Sequence, residues 1–89
     1  MTSLVAAPSP TTPIALSVGG NPTAIAIDRD TVYWIDAAND AVLGCAKVGC
    51  AGHPRTIALG QGGAQDIAVD NDHVYWTRAA SGTVVRAKK

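Results

Sequence analysis

Ile25-Ala26-Ile27-Asp28-Arg29-Asp30-Thr31-Val32-Tyr33-Trp34 returns 42 residues later as Ile67-Ala68-Val69-Asp70-Asn71-Asp72-His73-Val74-Tyr75-Trp76. Between 24–47 and 66–89, eleven of 24 positions are identical. Ile14-Ala15-Leu16 also returns as Ile57-Ala58-Leu59, with one residue gained or lost in the Gly-rich loop that follows. A unit of about 40–45 residues built from short strands has the spacing of a propeller blade. Helix-pair solenoids share that period, but no window here sustains an i, i+3, i+4, i+7 apolar stripe. The chain therefore reads as all-β.

Ala24–Asp28, Thr31–Ile35, Ala41–Lys47 and Arg55–Leu59 are short runs rich in Ile, Val, Thr, Tyr and Trp. Asp-x-Asp, Asn39-Asp40 and two Gly-rich stretches separate them as turns. Val32 and Trp34 point to one side of their strand and Tyr33 and Ile35 to the other, so the sheet needs cover on both faces. Counting strands outward from a propeller axis, the order is an outer strand, then a complete four-stranded blade, then three strands of a second. The organisation expected is an outer strand with its loop at 14–23, a first blade at 24–60 and a second at 61–89 that lacks its outer strand. The four aromatic side chains, Tyr33, Trp34, Tyr75 and Trp76, are assigned to the strand cores.

Two such blades leave an apolar face open at each end and a bare edge on the last strand, and both are association sites. With only 89 residues, a solitary pair is also near the size at which burial barely offsets ordering entropy. A head-to-tail cyclic oligomer resolves this. Three copies give six blades and four give eight; the homotrimer is the first expectation and the tetramer the second. In either ring Ile14–Val18 of one copy would complete the second blade of the next. The competing reading is a fragment of a longer propeller with no activity of its own.

Val32-Tyr33-Trp34-Ile35-Asp36 and Val74-Tyr75-Trp76-Thr77-Arg78 resemble the Tyr-Trp-Thr-Asp repeat of YWTD β-propellers, a family with secreted bacterial members and the extracellular propellers of lipoprotein receptors. The resemblance covers residues 14–89 and implies a six-bladed ring used for binding and scaffolding rather than catalysis. Ile35 replaces the family Thr in the first copy and Arg78 replaces the family Asp in the second. Asp36 and Arg78 would alternate around a closed ring. They read either as a pair across blade boundaries that fixes register, or as ligand contacts at the ring mouth.

Cys45 and Cys50 flank the turn between the third and fourth strands and are within reach of a hairpin disulfide. Free thiols or a metal site are the alternatives, although His53 and His73 lie 20 residues apart, far from the spacing of zinc ligands. A disulfide implies an extracellular or periplasmic location. Residues 1–13 carry three prolines and a Ser/Thr cluster and read as a flexible lead-in. They lack the basic start and longer apolar core of a signal peptide, so any export signal was removed or belonged to a parent protein.

Seven basic and seven acidic residues leave no net charge, and so no electrostatic footprint for nucleic acid. No apolar run exceeds four residues, which excludes a membrane-spanning helix. There is no nucleophile elbow, phosphate loop or Walker lysine. The chain has no Glu and only two His, so no catalytic residue and no cofactor is expected. The leading function is a non-catalytic ring that binds itself and a protein, peptide or glycan. Its mouth would be formed by Asn21, Asp36, Asn39, Asp40, Gln65, Arg78 and Ser81. The alternative from another class is a propeller enzyme, such as a lyase, with a polar site at the same mouth.

Overall fold

The computed structural model describes residues 13–89, so the lead-in expected over 1–13 lies, up to residue 12, outside the described residues. Seven strands and no helix are present among the described residues: β1 (Pro22–Ile27), β2 (Thr31–Asp36), β3 (Ala41–Ala46), β4 (Arg55–Ala58), β5 (Ala64–Val69), β6 (His73–Arg78) and β7 (Thr83–Lys88). They form two antiparallel sheets, β1-β2-β3-β4 and β5-β6-β7. Neither sheet closes on itself. Without a helix, no segment of the described residues is suited to cross a membrane in helical form.

Local chemistry sets the turns. Asp28 Oδ1 accepts the amides of Asp30 (2.8 Å) and Thr31 (2.7 Å), folding β1 back onto β2. Asp70 does the same for Asp72 (2.9 Å) and His73 (2.8 Å) between β5 and β6. Such Asx turns are why Asp suits this position. At the opposite end, the β2–β3 turn places Asp40 at φ 51°, and the β6–β7 turn places Gly82 at φ 65°. Both are left-handed, a conformation open to Gly and tolerated by Asp.

Strand pairing fixes which side chains share a face. Opposite Trp34 lie Ile25 and Leu43; opposite Tyr33 lie Ala26 and Gly44. Tyr33 and Ile35 therefore point one way from the first sheet, and Val32 and Trp34 the other. The core forms between the sheets. Tyr33, Ile35 and Val42 of the first pack against Val74 and Trp76 of the second, with Ala24, Ile57, Ile67 and Val85 at the margin. A Cβ on Gly44 would come within 3.2 Å of the Tyr33 ring, so glycine is what lets that ring lie against β3.

One expectation is corrected by this packing. Both faces of the second sheet were expected to be apolar, but its outward face carries exposed Asp66, Ala68, Val84 and Arg86 with half-buried Tyr75 and Thr77. Tyr75 is accordingly not a core residue of the single chain. Ile14–Val18, expected to pair as a strand with a neighbouring copy, is unpaired in the single chain. A strand needs a paired edge to satisfy its backbone, and this segment instead runs beside the Trp34 face, with Leu16 and Ser17 half-buried and Ile14 and Val18 exposed.

Candidate functional site

The residues expected at a ring mouth lie at one end of the two sheets, where β1 and β5 begin and where β2 and β6 turn into the next strand. Asp36, at the end of β2, is buried. Its carboxylate accepts the Asn39 side-chain amide (2.7 Å), the Asn21 amide (2.9 Å) and the Ala38 amide (3.1 Å). These donors, the Asn39 amide foremost, lower its pKa against the opposing effect of burial. Gly20 seats the chain so close to this carboxylate that a Cβ there would sit 2.6 Å from Oδ2, and its φ is +70°.

Arg78 holds the matching position on β6 and anchors the matching loop by different means. Its Nε donates to the Gly62 carbonyl at 3.0 Å. Within the chain Asp36 and Arg78 do not pair; each secures the loop leading into the inner strand of its own sheet. Ser81 is held on the Arg78 carbonyl (3.4 Å) and the Thr83 hydroxyl (2.7 Å). Asp40 accepts the Gln61 amide on its carbonyl at 2.7 Å, and Gln61 in turn accepts the Trp76 indole N–H at 3.0 Å. The strip is continuous, but Asp36, Asn39, Arg78 and Ser81 all hold structural bonds. The side chains of Asp40 and Gln65 are exposed and make no hydrogen bond to a described residue.

A second cluster, at the opposite end, escaped the sequence reading. Asp28 Oδ2 receives Lys89 Nζ at 2.6 Å and the Tyr33 hydroxyl at 3.3 Å. Lys89 ends the second sheet and Asp28 opens the first hairpin, so this ion pair crosses the boundary between sheets. It is the only ion pair among the described residues. The Lys89 ammonium is also 5.8 Å from the centre of the Tyr33 ring, within cation–π range. Lys89, then the Asp30 amide, hold the Asp28 carboxyl well below the usual carboxylate range, and Asp28 raises the Lys89 pKa. In the second sheet the Tyr75 hydroxyl donates to Asp70 Oδ2 at 2.7 Å and, with the Asp72 and His73 amides, pulls its pKa down to about 2. Asp70 raises the Tyr75 pKa in turn. The available signal was the five-residue spacing from Asp to Tyr in both copies, together with Lys at both 47 and 89.

Cys45 and Cys50 are joined by a disulfide, with Cα atoms 5.5 Å apart. It ties the end of β3 to the loop before β4. Between the Ile14–Val18 segment and the first sheet lies a groove of about 450 Å³, lined by Leu16, Pro22, Ile25, Val32 and Trp34 among others. It belongs to the apolar Trp34 face and holds none of the polar strip. No cluster of three or more His, Cys, Asp or Glu able to hold a metal occurs among the described residues. Asp28, Asp36 and Asp70 each accept several fixed donors that lower their pKa, an arrangement suited to anchoring turns and loops.

Compared with known proteins, the chain matches no family model and no curated relative.

Proposed function

We propose that this chain is a non-catalytic β-propeller scaffold that closes into a ring with copies of itself, three copies supplying six blades. One observation carries the reading. The internal boundary buries the Tyr33 side of one sheet against the Trp76 side of the next. That leaves a Trp34 side and a Tyr75 side open at the two ends, the same pair of surfaces separated by the repeat. A heterologous contact that repeats with rotation closes a ring. The resemblance to YWTD propellers favours six blades over the eight that four copies would give.

The exposed ends support association. Ile25 is 66 % exposed on one face and Val84 is 77 % exposed on the other. Asp66, Thr77 and Arg86 make the Tyr75 side more polar than its counterpart, so the closing contact is weaker than the internal one and assembly depends on concentration. Once closed, the mouth strip presents Asp40 and Gln65 to a protein, peptide or glycan, while Asn21, Asp36, Asn39, Arg78 and Ser81 frame it. The disulfide favours an extracellular or periplasmic setting.

Native mass spectrometry across a concentration series tests the ring. A species of three times 9.1 kDa is the expected result, and one of four times that mass would make the ring eight-bladed. A chain that stays single and folded up to millimolar concentration overturns the reading.

A further inference from the structure

We propose that the boundary between copies carries a second sheet-to-sheet ion pair, Lys47 of one copy with Asp70 of the copy before it, so that these two side chains recognise a second copy of this chain. The inference rests on the ring reading and names the residues through which its partner is registered.

The template lies inside the chain. At the internal boundary, Lys89 of the second sheet reaches back to the turn carboxylate of the first, Asp28, at 2.6 Å. Both side chains are largely shielded there, at 17 % and 21 % exposure. Lys47 and Asp70 are the same two positions displaced by one repeat: 42 residues before Lys89 and 42 after Asp28. Backbone geometry confirms that they are equivalent. The Lys89 amide bonds the Asp72 carbonyl at 3.1 Å, and the Lys47 amide bonds the Asp30 carbonyl at 2.8 Å. Each lysine thus leaves its strand at the same place relative to its own Asp turn.

Strand alternation gives the direction. Cys45 pairs with Val32 on the Trp34 face, so Lys47, two residues on, departs on that side, which is the open end of the first sheet. Ala87 stands at the matching place in the second sheet and packs into the core, with Lys89 beyond it. Lys47 is exposed and has no ion-pair partner among the described residues. Asp70 lies at the other open end, with Oδ1 on its two turn amides and Oδ2 receiving only the Tyr75 hydroxyl among the described residues. In the first sheet the corresponding hydroxyl stands back at 3.3 Å and the lysine takes the closer place. An unpaired cation on one end and, on the other, a carboxylate oxygen with a single hydroxyl donor, in the register that the internal pair defines, are complementary charges on surfaces that must meet.

A double-mutant cycle on the full chain tests this, with Lys47→Gln, Asp70→Asn and the double variant compared with the wild type by native mass spectrometry and sedimentation. Asp70→Asn retains the side-chain oxygen that holds the turn, and circular dichroism of each variant checks the fold. Each single change is expected to raise the dissociation constant about five- to tenfold, and the double variant no further than the worse single one. Arg55→Gln, exposed on the outer strand β4 and on the Tyr33 side of its sheet, serves as the control and is expected to leave assembly unchanged. If the wild type forms a ring but the single variants match it, or their effects simply add, the ion pair is refuted while the ring stands. If the wild type forms no ring, both fall together.

Discussion

The two sheets share a strand pattern, an Asp turn and a Val-Tyr-Trp middle strand, yet they treat the face beneath the tyrosine in opposite ways. In the first, Tyr33 is 1 % exposed and lies over Gly44, flanked by Ala24 and Ile35. In the second, Tyr75 is half-buried, and the positions matching Ala24, Ile35 and Gly44 hold Asp66, Thr77 and Arg86. Backbone register is therefore preserved by the turn and the alternating strand pattern, while burial is set separately by what each face meets. The repeat specifies a sheet; the substitutions beneath each tyrosine specify which sides of the two sheets pack together.

Removing the equivalent rings should break the symmetry most. Tyr33→Ala empties a site between the sheets, and a cost of about 3–5 kcal/mol is expected, as for other large buried aromatics. Tyr75→Ala removes a half-exposed ring and should cost the single chain about 1 kcal/mol. Denaturant unfolding at a concentration too low for association would measure both. Equal losses would mean that the Tyr75 face is as tightly packed as its counterpart, contrary to the exposure of Val84 and Arg86.

The loops into β1 and β5 give a smaller contrast. Gly20→Ala places a methyl group against the Asp36 carboxylate and at a positive φ, with an expected loss of about 1–3 kcal/mol. Gly62→Ala, in the matching loop, would stand 3.5 Å from the Asp40 carboxylate without such a φ and should stay within about 0.5 kcal/mol of the wild type. Thermal unfolding of the two variants side by side is sufficient. A tolerated Gly20→Ala would show that the Asp36 anchor yields easily and is not what holds the Asn21 loop.

These contrasts show which links were legible in the sequence. The strands of both hairpins and the Asp turns follow from β-branched runs and from Asp spacing, which are local properties. The disulfide followed from a hairpin that brings Cys45 and Cys50 together. The roles of Asp36 and Arg78 were not legible, because a side chain at the end of a strand can bond its own loop or a neighbouring sheet with equal chemical sense. Only the positions of Asn21 and Gly62 decide between these. Lys89 was overlooked for a similar reason. Its partner lies 61 residues away, a separation that no local pattern encodes, although its recurrence at 47 was a visible hint. The polarity of the second outward face is encoded locally, in Asp66, Thr77 and Arg86, the positions at which the two copies of the repeat differ.

The finest contrast is electrostatic. Both turn carboxylates are held ionised, but by different principal donors: the Lys89 ammonium for Asp28 and the Tyr75 hydroxyl for Asp70. Removing each hydroxyl should therefore have unequal effects. Tyr75→Phe takes away the leading cause at Asp70, so its pKa should rise from about 2 toward the ordinary value near 4. Tyr33→Phe leaves Lys89 in place and should move Asp28 much less. The consequence for stability follows from linkage. A carboxyl with a depressed folded-state pKa stabilises the fold above its unfolded pKa, and that contribution fades as pH falls through the folded value. For Asp70 the contribution is present above about pH 4 and lost as pH approaches about 2; Tyr75→Phe should flatten that part of the stability profile. Carbon-detected NMR titration of the aspartate carboxyls would follow both sites in one experiment. Equal shifts at Asp28 and Asp70 would mean that the Tyr33 hydroxyl, at 3.3 Å, holds its carboxylate as firmly as the Tyr75 hydroxyl does at 2.7 Å, and the contrast between the two turns would fail.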